Sequence, residues 1–244
     1  MCHVHCVSNI TCSGCRRQIS CRRMDVCVIR VSHCEKEIFC FSVPEECPSC
    51  GEQLRGSRLQ EAPVSLPSPL TNGHKTSCCL LVAPAQDNTH REFDGMSDLH
   101  TGVSNTAGVV YNYTQGGVVR DQSGWESCVS VPLVRPDMFP LLAQWDRYLD
   151  QFSDGPMWDP AWHRFDEEHH NCFTFCLGFI NSVLAAEGRS SVSRDTFTHS
   201  FILPKMRRVT KYTTLYRHIQ RHQYYMVDRQ KDTQQDTAAK PDIF

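Results

Sequence analysis

The chain carries 244 residues, 40% of them hydrophobic, with a formal net charge of −2. That is enough apolar material for one compact domain with an appendage, and a balance so near neutrality gives no global argument for nucleic acid or an anionic membrane surface. No apolar run is long enough to cross a bilayer, and the N-terminus lacks the apolar core of a signal peptide. The cytoplasm or nucleus is therefore the expected compartment, where the fifteen cysteines are reduced, metal-bound or catalytic rather than cross-linked.

Ten of those cysteines fall in the first fifty residues. Residues 1–30 hold six of them among polar and basic side chains, with no sustained period of 2 or 3.6. This stretch is expected to be a disordered Cys/His-rich leader, although Cys12-x-x-Cys15 has the spacing of half a zinc site. From residue 31 the texture changes. Glu37-Ile38-Phe39-Cys40-Phe41-Ser42-Val43 is rich in strand formers, and Pro44 closes it. In Cys47-Pro48-Ser49-Cys50-Gly51, two thiolates at CxxC spacing can grip one tetrahedral ion while the glycine lets the backbone wrap around it. His74-x-x-x-Cys78 supplies a complementary pair, with Cys34 and Cys79 in reserve. Cys47, Cys50, His74 and Cys78 are thus the candidate ligands of a structural zinc ion, in a zinc-ribbon-like module over residues 31–84. A redox role for the CxxC would call for a surrounding βαβ pattern, and none is visible.

Residues 51–73, with Pro63, Pro67, Pro69 and Asn72-Gly73, read as a connector, and residues 79–82 as a short buried strand. Residues 99–105 and 109–113 then form a hairpin around Thr106-Ala107-Gly108. Alternation puts His100, Gly102 and Ser104 on one phase, and Val110, Asn112 and Thr114 on one face of the returning strand. Directly opposed residues lie about 5 Å apart, which brings Asn112 beside His100. There its amide oxygen can hold one ring nitrogen and fix the tautomer of the other. A lone strand histidine is as often structural. Residues 115–118 read as a turn and 126–131 as a further strand. Residues 137–152 form an amphipathic helix whose Met138, Leu141, Leu142, Trp145, Tyr148, Leu149 and Phe152 are core.

After a loop over residues 153–168 comes the stretch that carries the chemistry, His169-His170-Asn171-Cys172-Phe173-Thr174-Phe175. Asn171 is a preferred N-cap. Behind it Cys172, Cys176, Phe179, Ile180 and Val183 make an apolar stripe at helical spacing, and Glu187-Gly188 ends the helix. Cys172 thus sits in the first turn, where free amides and the helix dipole favour negative charge and therefore the nucleophilic thiolate. A small buried core cysteine fits the same pattern, so the assignment needs a partner elsewhere in the chain.

Beyond residue 188, Ser193 and Asp195 can cap a short helix, and Pro204 opens a last one with Met206, Val209, Tyr212, Tyr216 and Ile219 on one side. Its other side carries Lys205, Arg207, Arg208, Lys211, Arg217 and Arg221, a run that can meet RNA phosphates or an acidic partner but is equally met by a solvated helix face. His218-x-x-x-His222 shares one face without a third ligand. Residues 228–244 are polar and expected to be a disordered tail.

The order of histidine strand, asparagine strand, helix and then Asn-Cys at a helix start resembles the circularly permuted papain-like fold. His100-Thr101-Gly102-Val103, Tyr111-Asn112-Tyr113, Gly116-Gly117-Val118 and His170-Asn171-Cys172-Phe173-Thr174-Phe175 are similar to the PPPDE desumoylating-isopeptidase family. The His-x-Gly-Val strand also resembles the lecithin retinol acyltransferase branch, where a histidine stands in place of Asn112. The resemblance implies Cys172 as nucleophile, His100 as general base and Asn112 as the orienting residue. Over residues 31–228 the chain is also similar to the makorin-2 opposite-strand protein family. The matching stretches include Ser32-His33-Cys34-Glu35-Lys36, Phe41-Ser42-Val43-Pro44, Thr71-Asn72-Gly73-His74, Ser97-Asp98-Leu99-His100, Gly108-Val109-Val110-Tyr111-Asn112-Tyr113 and Thr214-Leu215-Tyr216-Arg217. Residues 1–30 do not match that family's start.

The expected architecture is an α+β domain of permuted papain type over residues 85–227, preceded by the zinc-ribbon-like module. The expected chemistry is thiol hydrolysis or acyl transfer at amide, isopeptide or thioester bonds, through Cys172, His100 and Asn112. The rival from another class is a non-catalytic, zinc-stabilised module on the same scaffold. Either reading implies a protein substrate or a protein partner of unknown identity. Geometry separates the two, because an enzyme needs the Cys172 sulfur beside a ring nitrogen of His100, with access for substrate.

Overall fold

Segments rich in β-branched and aromatic residues become strands, and in the computed structural model they form, among the described residues, two antiparallel sheets accompanied by four α-helices. The structure describes residues 26–54, 59, 61–85, 93, 98–229 and 243. Of the expected leader over residues 1–30, residues 1–25 lie outside them, as does nearly all of the expected tail, whereas residues 28–30 are already strand.

The strands in chain order are β1 (Val28–His33), β2 (Lys36–Cys40), β3 (Val64–Leu66), β4 (Cys79–Pro84), β5 (Leu99–Ser104), β6 (Val110–Thr114), β7 (Gly117–Asp121), β8 (Val129–Pro132) and β9 (Tyr224–Asp228). One sheet has the order β3-β1-β2-β9 and the other β7-β6-β5-β4-β8. The four-stranded sheet therefore closes with a strand from the far end of the chain. β2 pairs with β9 over its whole length, from Lys36↔Asp228 to Cys40↔Tyr224. Short-range periodicity cannot reveal a partner so distant in sequence.

β4 is buried at all six positions, because both of its faces are covered. Leu80 and Val82 share a cluster with Val103, Tyr111, Val129 and Val131, while Cys79, Leu81 and Ala83 meet Val110, Trp125 and Cys128 on the opposite face. The first face lies under α1 (Phe139–Ser153) and α2 (Cys172–Ala186), which contribute Leu141, Trp145 and Leu149, and Phe175, Cys176, Phe179, Ile180 and Val183. Each such side chain is worth about 1.5–3 kcal/mol of burial. Trp145 also donates its indole N–H to the Ser104 carbonyl at 3.0 Å, which fixes α1 against the end of β5.

The segment read as a turn at 115–118 opens into β7, so the hairpin continues by one more strand. The strand expected at 126–131 shifts to Val129–Pro132, since Trp125 and Cys128 fold under the second face of the sheet instead. Ser193 caps α3 (Arg194–Phe197) by accepting from the Thr196 amide at 3.1 Å. A π-helical turn, Thr198–Ile202, leads from there into α4 (Leu203–His222). α4 bridges the two sheets: Val209 lies in the main core, whereas Tyr212, Tyr216 and Ile219 pack with Val28, Phe39, Phe41 and Leu66. The architecture is thus mixed α and β with antiparallel sheets. Among the described residues no helix is long and apolar enough to cross a membrane.

Candidate active site and candidate metal centre

Cys172 opens α2 because Asn171 caps it, with the Asn171 side-chain oxygen accepting the Thr174 amide at 3.0 Å. The loop before it is pinned by the Tyr113 hydroxyl donating to the His163 carbonyl at 2.8 Å and by the Asn171 amide donating to Glu167 O at 2.6 Å. These anchors set the sulfur at the start of β5, where it makes hydrogen-bonding contact with His100 and Thr101. The residue keeps 8% of its exposure.

His100 and Asn112 meet as the alternation predicts, though diagonally. The ladder between β5 and β6 runs for two pairs, Val103↔Tyr111 and Ser104↔Val110. Extended by one step, this register sets Gly102, not His100, opposite Asn112. Gly102 leaves no room for a side chain, because a Cβ there would lie 2.7 Å from Val110 and 3.1 Å from the Trp125 ring. Diagonally across the two strands His100 Nε2 lies 2.9 Å from Asn112 Oδ1.

Asp121 decides which way the amide of Asn112 points. Asn112 Nδ2 donates to Asp121 Oδ2 at 2.8 Å, and the Trp125 indole N–H donates to the same oxygen at 3.0 Å. An ionised carboxylate only accepts, so the amide nitrogen faces Asp121 and the amide oxygen faces the ring. His100 then carries its proton on Nε2 and keeps Nδ1 to accept from the thiol. Sequence reading missed Asp121 because β7 looked like a turn. Its signal is a carboxylate two residues beyond the position opposite Asn112, on the same sheet face.

The electrostatics follow this wiring. Burial works against the charged imidazole of His100, but hydrogen bonds and charge from Cys172, the bond to Asn112 and the charge of Asp121 outweigh it, and the pKa rises. Burial likewise works against the Cys172 thiolate, yet His100 and Thr101 outweigh it and hold the pKa below the ordinary thiol value. Cys176, one helical turn on, is fully buried and is driven the other way. The arrangement can therefore transfer a proton from one thiol to one imidazole.

The second constellation lies in the four-stranded sheet. His33, Cys34, Cys47 and Cys50 bring one ligand atom each within 4.8 Å of one another, a set that could hold a metal ion. Cys34 and Cys47 sulfurs are 3.6 Å apart, and Cys50 Sγ is 3.6 Å from His33 Nδ1. Tetrahedral zinc, with bonds of about 2.3 Å to sulfur and 2.0–2.1 Å to nitrogen, would set these edges at about 3.8 Å and 3.6 Å, so both edges match it. The far ring nitrogen of His33 faces Glu52 at 3.3 Å, the usual way a ligating imidazole is oriented from outside. Burial works against the Cys47 thiolate, but the amides of Cys50 and Ser49 and the side chains of Cys34 and His33 bring its pKa down to about 7. Partial desolvation, with crowding by Cys47 and Cys50, raises Cys34 to about 11.

Of the expected ligand set, then, Cys47 and Cys50 come together but His74 and Cys78 do not join them. His74 is engaged on both ring nitrogens: Nδ1 lies 2.8 Å from the Gly108 carbonyl and Nε2 accepts the Trp125 amide at 3.3 Å. Cys78 is enclosed in the apolar core, where burial pushes its thiol up to about 12. The missing half is the β1–β2 turn, which supplies His33 and the reserve ligand Cys34. His33-Cys34 immediately ahead of a strand-forming run was the available signal.

Comparison with known proteins agrees with the kinship read from the residues. A family model described as DUF4796 C-terminal matches residues 63–219, and one described as DUF4796 N-terminal matches residues 27–54. The MKRN2 opposite strand protein of Homo sapiens is 46% identical over 208 residues, covering 85% of this chain and 92% of the relative. No solved structure matches. The C-terminal match holds Cys172, His100 and Asn112, the N-terminal match holds all four residues of the Cys/His cluster, and the chain belongs to the DUF4796 family.

Proposed function

We propose that this chain is a thiol-dependent enzyme that hydrolyses or transfers acyl groups at amide, isopeptide or thioester bonds of a protein substrate. Cys172 is the nucleophile, His100 the general base and Asn112 its orienting partner, on a core of permuted papain-like type. One observation carries the proposal: a histidine held at Nε2 by an asparagine oxygen also contacts a cysteine in the first turn of a capped helix. In the reaction the Cys172 proton passes to His100 and the sulfur bonds to the acyl carbon, while the carbonyl electron pair moves to oxygen. The Cys172 amide, in the turn whose N–H groups have no intrahelical acceptor, is one donor to that oxygen. Collapse breaks the bond to the leaving amine or thiol, which takes the proton from His100. Water deprotonated by His100 then cleaves the thioester, releasing the acid and restoring the thiol.

The test is labelling of the full chain with an electrophilic thiol probe between pH 4 and 9, read peptide by peptide in wild type, Cys172→Ala and His100→Ala. Selective modification of Cys172 near neutral pH, lowered about 100-fold or more in His100→Ala, is expected, the usual share of a general base being about 10²–10⁴. A Cys172 no more reactive than a free thiol overturns the enzyme and leaves an interaction module on the same scaffold.

The second part of the proposal is that the ion taken by His33, Cys34, Cys47 and Cys50 is zinc. The four protein ligands support a structural role, because they leave no coordination position open for substrate.

A further inference from the structure

The Cys/His cluster shares its turn with β9, the last strand of the described residues. Cys34 and Glu35 join β1 to β2 with φ of 41° and 61°, both left-handed, although neither is glycine. Such residues are strained and persist when surrounding structure holds them. Two of the four candidate ligands, His33 and Cys34, flank or occupy this turn. The same turn receives β9, since the Arg229 amide donates to the Glu35 carbonyl at 2.8 Å. Around it Lys36 pairs with Asp228, and Arg229 pairs with Glu37 and Glu61. β9 has little burial of its own, with every residue exposed or half-buried. Its place depends on backbone pairing with β2, on the Glu35 carbonyl, on Met226 packed against the cluster that includes the candidate ligand Cys47, and on Tyr225 against the rings of Phe39 and His218.

We infer that zinc binding at His33, Cys34, Cys47 and Cys50 seats β9, so that the metal is a clasp joining the N-terminal sheet to the end of the chain. The inference rests on the zinc reading above. An ion bonded to Cys34 and His33 holds the strained turn in shape, and the shape of that turn presents the acceptor and the β2 edge on which β9 docks. Loss of the ion lets Cys34 and Glu35 relax toward ordinary backbone angles and withdraws both.

The experiment is amide hydrogen exchange on the full chain, zinc-loaded and chelated, with zinc stoichiometry measured in parallel. Cys50→Ser is the second variant, since Cys50 is an exposed ligand and its loss leaves the apolar packing intact. We expect one zinc per chain, at least tenfold faster exchange over residues 224–229 on removal of zinc, unchanged exchange over residues 172–186, and recovery when zinc is restored. Cys50→Ser is expected to reproduce the fast exchange. Stoichiometric zinc with unchanged exchange at 224–229, or an equal rise over 172–186, overturns the clasp and leaves the zinc reading standing. Absence of zinc binding overturns the zinc reading and the clasp with it.

Discussion

Cys172 and Cys47 each meet a histidine, and in each the thiol is brought below its ordinary pKa against the pull of burial. The surroundings nonetheless make them opposites. Cys172 has one imidazole, held in a single tautomer by Asn112 and Asp121, and among the described residues no second thiol in hydrogen-bonding contact. Cys47 lies among two further sulfurs and an imidazole that converge on a common centre, with backbone amides from Ser49 and Cys50 behind them. A proton acceptor needs direction, whereas a cation needs donors on all sides. That contrast, rather than either thiol's acidity alone, separates a nucleophile from a ligand.

The largest effect that would sharpen this contrast is in pH dependence. Because the Cys172 shift is downward, its alkylation rate should reach half of its plateau below pH 9.0, the ordinary thiol value. In His100→Ala the first of the interactions that oppose burial is gone, and the half-point should move upward. Cys128, pushed to about 12 by burial, should stay unmodified throughout. A Cys172 half-point that ignores His100 would erase the distinction between the two sites.

A smaller effect is expected at Asp121. Asp121→Asn replaces an acceptor with a group that can also donate, so the Asn112 amide loses its reason to face one way. Cys172 labelling at neutral pH should fall about tenfold, equivalent to about 1.4 kcal/mol, while zinc content stays unchanged. Rescue by Asp121→Glu would support positioning through the carboxylate, and an unchanged rate in Asp121→Asn would remove Asp121 from the site.

The smallest effect is expected at Glu52, which touches the metal cluster only through the far ring nitrogen of His33. Such outer partners are worth about 10–100-fold in metal affinity when buried, and Glu52 is exposed, so Glu52→Gln should weaken zinc binding by less than about tenfold. Competition with a chelating dye measures this. Any accompanying change in Cys172 labelling would show that the two sites are coupled.

How much of this was legible in the sequence follows from the range of the interactions. Cys172 and its cap lie within one turn of helix, and His100 and Asn112 within one hairpin, so local pattern was enough to pair them. The four-stranded sheet was not legible, because β9 meets β2 with Lys36 and Asp228 separated by 192 positions. The metal set failed for a related reason. Searching downstream of the CxxC for a second pair found His74 and Cys78, whereas the hairpin folds His33 and Cys34 back onto it from upstream. Asp121 was lost because residues 115–118 were read as a turn, whereas β7 already begins at Gly117.

The late arrival of β9 has a consequence for how the chain folds as it is made. β2 is made long before residues 224–228, and until these emerge its outer edge lacks the strand that covers it in the folded chain. Throughout that interval it presents unpaired N–H and C=O groups, the template on which foreign strands add, and a closure so distant in sequence is slow. A chain that stops short of Tyr224 would keep Cys172, His100 and Asn112 but carry a permanently open edge. Its characteristic failure would be self-association.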